Sequence, residues 1–135
     1  MNRICEDVQY LDVFAPQAVA TATEKTSAFV DAAGADVVEF LIYTGALSNG
    51  KKLTVGLHTS TDAGGSSPEK VGIAEFTASS AEPGLAVVSY RVQGSRGRYV
   101  GVSFQHDGGS DVDCAVAAVV RQAYHPAENG WKLVV

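Results

Sequence analysis

The amino-acid sequence predicts an all-β fold, a β-sandwich or jelly roll of about eight strands forming a single domain over residues 1–135. Two observations support this prediction: apolar and polar residues alternate over short runs, and clusters of Gly, Asn, Asp, Ser and Pro separate those runs. The sequence contains no convincing amphipathic helix, no internal repeat and no domain linker. Strands are predicted near residues 8–14, 27–31, 37–44, 53–60, 71–78, 85–93, 98–106 and 112–121.

The strands differ in their patterns. Residues 15–26 are rich in Ala and Thr and weakly patterned, which favours a long connection. Residues 37–43 are almost continuously apolar and predict a central strand covered on both faces. Residues 53–58 and 100–105 alternate strictly, as strands with one face on a core do. Residues 112–121 contain alanines that suit a helix, but their valines and the preceding Gly-Gly-Ser turn favour a strand.

Turn residues mark the connections. Asn49-Gly50 is the strongest short signal for a hairpin, because both residues tolerate positive φ. Gly64, Pro83 and Gly108 mark further loops.

Residues 94–97 read Gly-Ser-Arg-Gly. Two basic residues, Arg96 within this segment and Arg98 just after it, raise the question of a phosphate site. A phosphate-binding glycine loop opens a helix whose N-terminal amides face the anion. Here the glycines precede Tyr99–Phe104, which alternates as a strand. We therefore predict a hairpin turn at residues 94–97, with Arg96 or Arg98 in a salt bridge or a subunit contact.

Charge and cysteine content restrict the partners. Ten basic residues against fifteen acidic ones give a net charge of −5, which disfavours binding to nucleic acid or a membrane surface. The sequence shows no secretion signal and no apolar run of the roughly 20 residues that a membrane-spanning helix needs. Cys5 and Cys114 lie far apart, so buried reduced thiols are favoured over a disulfide.

No residue pattern indicates a catalytic, cofactor or metal site. His58, His106 and His125 are isolated, without the paired spacing of zinc ligands, and we expect His58 and His106 to be exposed. No GxSxG elbow accompanies the serines, and the paired carboxylates Asp111 and Asp113 suit a solvated loop better than acid–base catalysis or calcium binding. We therefore expect no enzymatic activity.

Residues 124–135 form a possible C-terminal arm. A Pro/Asn/Gly break is followed by the only tryptophan and by an apolar terminus, which is costly to leave in water. The arm either returns as an edge strand of its own sandwich or docks on another chain. Its candidate interface residues are Tyr124, Trp131, Leu133, Val134 and Val135, in addition to Arg96 and Arg98.

Several segments, in order, resemble a family of small structural proteins from tailed bacteriophages. Residues 12–16 read DVFAP, a short strand and a proline, and residues 29–47 read FVDAAGADVVEFLIYTGAL, with Asp-x-x-Gly before an apolar strand. Residues 53–67 read LTVGLHTSTDAGGSS, a strand running into a Ser/Asp loop. Residues 91–104, RVQGSRGRYVGVSF, and 115–130, AVAAVVRQAYHPAENG, complete the resemblance.

The resemblance implies a β-sandwich virion protein without fixing its place in the virion, and a head-decoration, or capsid cement, protein is our first hypothesis. Such a protein binds the major capsid protein on the capsid surface of the virion, after synthesis in the host cytoplasm. It forms symmetric homo-oligomers, with a trimer preferred, and has no catalytic activity or cofactor. Some members are tail components, so a tail or receptor-binding, carbohydrate-binding module is the alternative. Gly101 departs from the family, in which a bulkier residue is common.

Overall fold

The computed structural model describes residues 3–123 and 126–135 of the chain, and β-strands dominate them, as predicted. No helix in these two ranges is long and apolar enough to cross a membrane. The elements in chain order are α1 (Ile4–Asp7), β1 (Val8–Val19), β2 (Lys25–Thr26), β3 (Val30–Asp31), β4 (Ala35–Thr44), β5 (Lys52–Ser60), β6 (Glu69–Thr77), β7 (Gly84–Arg91), β8 (Tyr99–His106) and β9 (Val112–Gln122).

The strands form two antiparallel sheets. The four-stranded sheet has the order β1-β9-β4-β7, and the five-stranded sheet has the order β2-β8-β5-β6, with β3 also paired to β8. The pairs β1–β9, β2 and β3–β8, β4–β7 and β5–β6 are nested, as in one long hairpin rolled upon itself. This topology is a jelly roll, and it confirms the predicted fold class.

The hydrophobic core lies between the two sheets. Alternate residues of β4 and β8 face inward, and the rings of Phe14 and Phe104 meet edge to face with their centroids 5.0 Å apart. Each large apolar side chain contributes roughly 1.5–3 kcal/mol when fully buried. The larger core residues are Val13, Val19, Val30, Val38, Phe40, Ile42, Leu47, Leu53, Val55, Leu57, Tyr90, Val100, Val102, Phe104, Val112, Val116 and Val120.

Two predicted boundaries were wrong. Strand β1 continues to Val19, where the sequence predicted a connection, because β1 pairs with β9 across register shifts on either side of Phe14. These irregularities break the alternation on which a strand prediction depends. The predicted strand at 27–31 is instead two short strands, β2 and β3, which pair with separate parts of β8.

The predicted hairpin at residues 94–97 was also wrong. Strand β7 belongs to the four-stranded sheet and β8 to the five-stranded sheet, so these residues cross between sheets. Gly97 passes so close to the backbone of Ser60 that a Cβ atom would lie 2.5 Å from the Ser60 carbonyl carbon. The glycine therefore serves close approach of two backbones. Alternation in the flanking strands does not reveal which sheet each strand joins.

The Asn49-Gly50 turn shows the same ambiguity. A turn forms, with the Lys51 amide donating to the Ser48 carbonyl at 3.0 Å, but it joins β4 to β5 in the opposite sheet. Only β5 and β6 form a hairpin between consecutive full-length strands of the described chain.

Strand β4 occupies the predicted central position, between β9 and β7. Val38, Phe40 and Ile42 are buried on its inner face. Its outer face, however, is incompletely covered, since Leu41 is half-buried and Tyr43 is exposed. The prediction that both faces are covered was therefore wrong, and the uncovered side directs attention to the outer surface of this sheet.

Candidate interaction surfaces

The outer surface of the four-stranded sheet carries a continuous apolar patch. The strand register places Leu41 between Ala117 and Val87, and Tyr43 between Ala115 and Leu85. Tyr10 lies on the same side of the neighbouring edge strand β1. We call this set the apolar face: Tyr10, Leu41, Tyr43, Leu85, Val87, Ala115 and Ala117.

The apolar face is open to solvent. Leu85 and Val87 on the edge strand β7 are 65% and 51% exposed. A shallow, mostly apolar groove of about 470 Å³ crosses the face from Tyr10 and Pro16 to Leu85. Contiguous exposed apolar surface of this kind marks sites of protein or ligand contact more often than scattered single residues do. The geometry therefore indicates a binding surface.

Acidic side chains border the apolar face. Asp12 lies beside Ala117 in the register, and Glu39 lies beside Val119 and accepts a hydrogen bond from the Ser89 hydroxyl at 2.9 Å. Asp113 is exposed beyond Tyr43. At the other end of the sheet, Arg91 and Arg121 flank Val37, and Arg121 is paired with Asp36 at 3.0 Å. The border beside the groove is therefore negative, and the basic side chains lie beyond Glu39.

The outer surface of the five-stranded sheet is different. Thr54 pairs with Glu75 on one side and Gln105 on the other, which gives a polar row. Phe29 covers Gly101 in the same sheet, where an added Cβ would lie 2.7 Å from the ring. A bulkier residue, which is common here in the family that the sequence resembles, would collide with the Phe29 ring. The position of the ring therefore explains the glycine.

The histidines occupy two environments. His106 was expected to be exposed but is fully buried, because it shares the parity of the inward-facing Val102 and Phe104. Its Nδ1 accepts from the Gly108 amide at 3.1 Å, and its Nε2 lies 2.7 Å from the Val19 carbonyl, so the ring is a structural link. His58 is half-buried, and this burial lowers its pKa.

The C-terminal arm begins with a firm attachment to its own chain. The Asn129 carboxamide accepts from the Tyr10 amide at 2.9 Å and donates to the carbonyls of Cys5 and Val8, each at 3.0 Å. The Ala127 amide donates to the Glu6 carbonyl at 3.0 Å. Tyr124, one of the candidate interface residues, lies outside the described residues. The root of the arm is thus held beside α1 and the start of β1.

Beyond Asn129 the side chains point into solvent. We call residues 131–135 the tail. Trp131 is fully exposed, and Leu133 and Val135 are 88% and 95% exposed. The tail forms neither an edge strand nor part of the core cluster of the described chain. One contact holds its end, a hydrogen bond of 2.7 Å from the Arg3 guanidinium to the Val135 carbonyl.

Arg96 and Arg98 form the predicted salt bridges. Arg96 Nη1 lies 2.8 Å from Glu69, while Arg98 binds both carboxylate oxygens of Asp31 at 2.7 Å. The guanidinium of Arg98 lowers the pKa of Asp31, and the carboxylate raises the pKa of Arg98 in return. Within the described structure both arginines therefore serve to tie connections to strands.

The two groups of candidate interface residues lie at one end of the sandwich. Asp31, which holds Arg98, is four residues before β4, and the start of β4 pairs with Arg121. Arg121 also pairs with Val8, whose carbonyl anchors Asn129. The arginines pair with carboxylates of the five-stranded sheet, and the arm is anchored to β1 of the four-stranded sheet. Sequence reasoning missed the apolar face, because its residues lie on four separate strands.

The described residues contain no group of three or more His, Cys, Asp or Glu side chains able to hold a metal ion. Cys5 and Cys114 are both free thiols, Cys5 half-buried and Cys114 buried. Burial raises the pKa of Cys114 to about 11, which keeps it as an unreactive thiol near neutral pH.

The chain is similar to known proteins in its fold and not in its sequence. No protein-family model and no curated protein sequence matches the chain. Among solved structures, it is similar to the PBSX exported protein XepA, with a TM-score of 0.61 and 9% identity over 100% of this chain and 44% of that one. It therefore spans less than half of the XepA chain.

Virus particles provide two further likenesses. A chain of infectious bursal disease virus, Gx strain, gives a TM-score of 0.59 and 11% identity over 88% of this chain and 33% of that one. A chain of the cowpea mosaic virus top component, which consists of naturally occurring empty particles, gives 0.54 and 6% identity over 96% and 89%. At these identities the likeness shows the shared fold alone.

Proposed function

We propose that the protein is a virion structural protein that attaches to the outside of an assembled bacteriophage head and cements it. Its partner in this proposal is the major capsid protein, and its own assembly is a homotrimer on the capsid surface. The fold that it shares with chains of virus particles supports this setting, as does the resemblance to small bacteriophage structural proteins. We also propose that it has no enzymatic activity.

The exposed tail carries the proposal. Fully burying side chains of the size of Trp131 and Leu133 contributes roughly 1.5–3 kcal/mol each. In the free chain these side chains remain in water, although the arm is anchored at Asn129. Because the root is already ordered, a partner surface that buries the tail spends little of the binding free energy on ordering it. An anchored, exposed apolar segment is therefore suited to assembly, either directly on the head or within the oligomer through which the protein engages the head.

Cementing follows from linkage. A module that binds only the assembled lattice lowers the free energy of that lattice relative to its open form. Symmetric oligomers engage several capsid subunits at once, so contacts that are individually weak combine into a strong attachment. A net charge of −5 is compatible with this location, which requires no neutralisation of DNA.

The test compares head binding by the full chain and by a chain ending at Gly130. This truncation keeps Asn129 and its three hydrogen bonds. We expect the full chain to co-sediment with heads that lack it and to raise their resistance to heat. The truncated chain should remain folded and lose most of its attachment. Ile73→Glu, a change on the five-stranded sheet, is the control that should still bind. Absence of binding by the full chain would contradict the proposal.

A tail or receptor-binding role is the second candidate. Tyr10 and Tyr43 are exposed on the apolar face, and aromatic rings on a flat sheet surface can stack on sugar rings. This alternative expects glycan-dependent binding that Tyr43→Ala abolishes, with no attachment to heads. A glycan array combined with the head co-sedimentation assay separates the two roles.

A further inference from the structure

We propose that the tail of one copy covers the apolar face of a second copy. This inference rests on the proposed function, because the proposed homotrimer requires a contact between subunits. It identifies the surface that receives the tail. The receiving site is the outer surface of the four-stranded sheet between Tyr10 and Leu85. The occupant is Trp131–Val135 of a neighbouring chain.

Both surfaces are apolar and uncovered within the described chain. The tail alternates around Lys132, so an extended segment directs Trp131, Leu133 and Val135 towards one side. The apolar face is flat except for a shallow groove, and an indole ring can pack against it. Tryptophan is enriched among the residues that dominate interface binding energies. Mutual burial would remove both of these apolar surfaces from water.

Charge supports the same pairing. Lys132 is the only ionisable side chain of the tail, and the described residues give it no ion pair. The apolar face is bordered by the carboxylates of Asp12, Glu39 and Asp113. In an extended tail Lys132 points away from the face, but its long side chain can reach past the edge of the tail to this negative border. This favours the docking over an apolar surface with a basic border.

The anchors of the arm favour a second copy over the chain's own face. Asn129 fixes the root beside α1 and β1, and the Arg3 guanidinium holds the Val135 carbonyl at 2.7 Å. With both ends held, Trp131, Leu133 and Val135 point away from their own sandwich, while Val134 is 46% exposed. A second copy can approach them without breaking these contacts, whereas covering the chain's own face requires the release of Val135.

The symmetry of this contact restricts the assembly. The tail and the apolar face are different patches of one chain, so the contact joins unlike surfaces. Contacts of this kind close into a ring when the rotation per subunit divides a full turn, and reciprocal exchange gives a dimer. A closed trimer satisfies every tail and every face. The native mass, measured by light scattering, determines which closed form is present.

The decisive test is disulfide trapping between separately purified variants in a Cys5→Ser background. One variant carries Leu133→Cys in the tail, and the other carries Val87→Cys on the apolar face. Mixing and mild oxidation should give a covalent heterodimer of the two, detected by mass after non-reducing electrophoresis. Leu133→Cys mixed with Ile73→Cys, on the other sheet, is the matched control and should give little product.

Two results would overturn the inference. One is a heterodimer yield no greater than that of the Ile73→Cys control. The other is an intramolecular disulfide in a Leu133→Cys/Val87→Cys double variant at a concentration where the mixture of single variants does not cross-link. In the native chain, truncation after Gly130 should weaken self-association on the order of a hundredfold, from the lost burial of two large side chains.

Head binding is measured in parallel on the same samples, so that two failures can be distinguished. Trapping without attachment to heads would support the tail-to-face contact and contradict the cement role. Attachment to heads without trapping would support the cement role and show that the tail contacts the capsid directly.

Discussion

On the five-stranded sheet, Phe29 lies over Gly101 and polar side chains such as Thr54 and Gln105 surround it, with Ile73 as an exposed apolar side chain on the edge strand. On the four-stranded sheet, Leu85, Val87 and Tyr43 together face solvent without an aromatic cover from the described chain. The two sheets share one core, so we compare them by their outer surfaces.

From this contrast we expect stability and association to depend on different sheets. A chain that covers one sheet itself gains stability from that cover in the monomer. A sheet that stays apolar and open gains only when a partner arrives, because its burial then contributes to binding. The five-stranded sheet is therefore expected to respond to substitutions through folding, and the four-stranded sheet through association.

The largest effect is expected from a substitution on the outer surface of the five-stranded sheet, beneath Phe29. Gly101→Leu places a side chain where Phe29 already lies, with even the Cβ only 2.7 Å from the ring. Overpacking of this kind costs about 1–3 kcal/mol of the free energy of unfolding. We expect urea denaturation of Gly101→Leu to show this loss. Phe29→Ala in the same chain should restore part of it, and an unchanged midpoint for Gly101→Leu would show that the ring moves aside freely.

The sequence was sufficient for most of the strands but not for their arrangement. Alternation located β5 and β8 closely, since core residues recur at every second position from Leu53 to Leu57 and from Val100 to Phe104. The same alternation could not place residues 94–97, because a hairpin and a crossing between sheets have identical local patterns. The irregular pairing around Phe14 hid the second half of β1.

The candidate surfaces show the same division. The tail was predicted because Trp131 and Leu133 lie close together in sequence, and a run of apolar residues is a local signal. The apolar face was missed because Tyr43 and Leu85 meet only through the pairing of β4 with β7. Each residue alone is consistent with a core position. Only the register shows that they share an outer surface.

An intermediate effect is expected from one matched pair of substitutions on the two outer surfaces. Leu85→Glu and Ile73→Glu each place a carboxylate on an edge strand at a side chain that is 65% or 62% exposed. We expect Leu85→Glu to weaken self-association at least about tenfold, or roughly 1.4 kcal/mol, because binding would bury its charge. Ile73→Glu should leave association unchanged. Sedimentation equilibrium measures both, and equal losses would remove the distinction between the sheets.

The smallest expected effect concerns the ion pair at one end of each sheet. Hydrogen bonds from Arg98 and Arg121 lower the pKa of Asp31 and of Asp36, respectively. A carboxyl group with a lowered pKa in the folded state contributes stability above its ordinary pKa, which is about 3.9, and loses it as the pH falls through the folded value. Both pairs are solvent-exposed, so each contribution is small.

We therefore expect the melting temperature of the native chain to fall between about pH 5 and pH 2, where linked carboxylates become protonated. Arg98→Ala and Arg121→Ala should each lower the melting temperature slightly at neutral pH and flatten this acid dependence. Arg91→Ala, which removes a guanidinium that forms no ion pair among the described residues, is the control for charge alone. If Arg91→Ala flattens the curve equally, net charge and not the two ion pairs governs the acid response. If only Arg98→Ala does so, the five-stranded sheet alone uses its ion pair for stability, which would sharpen the division between the two sheets.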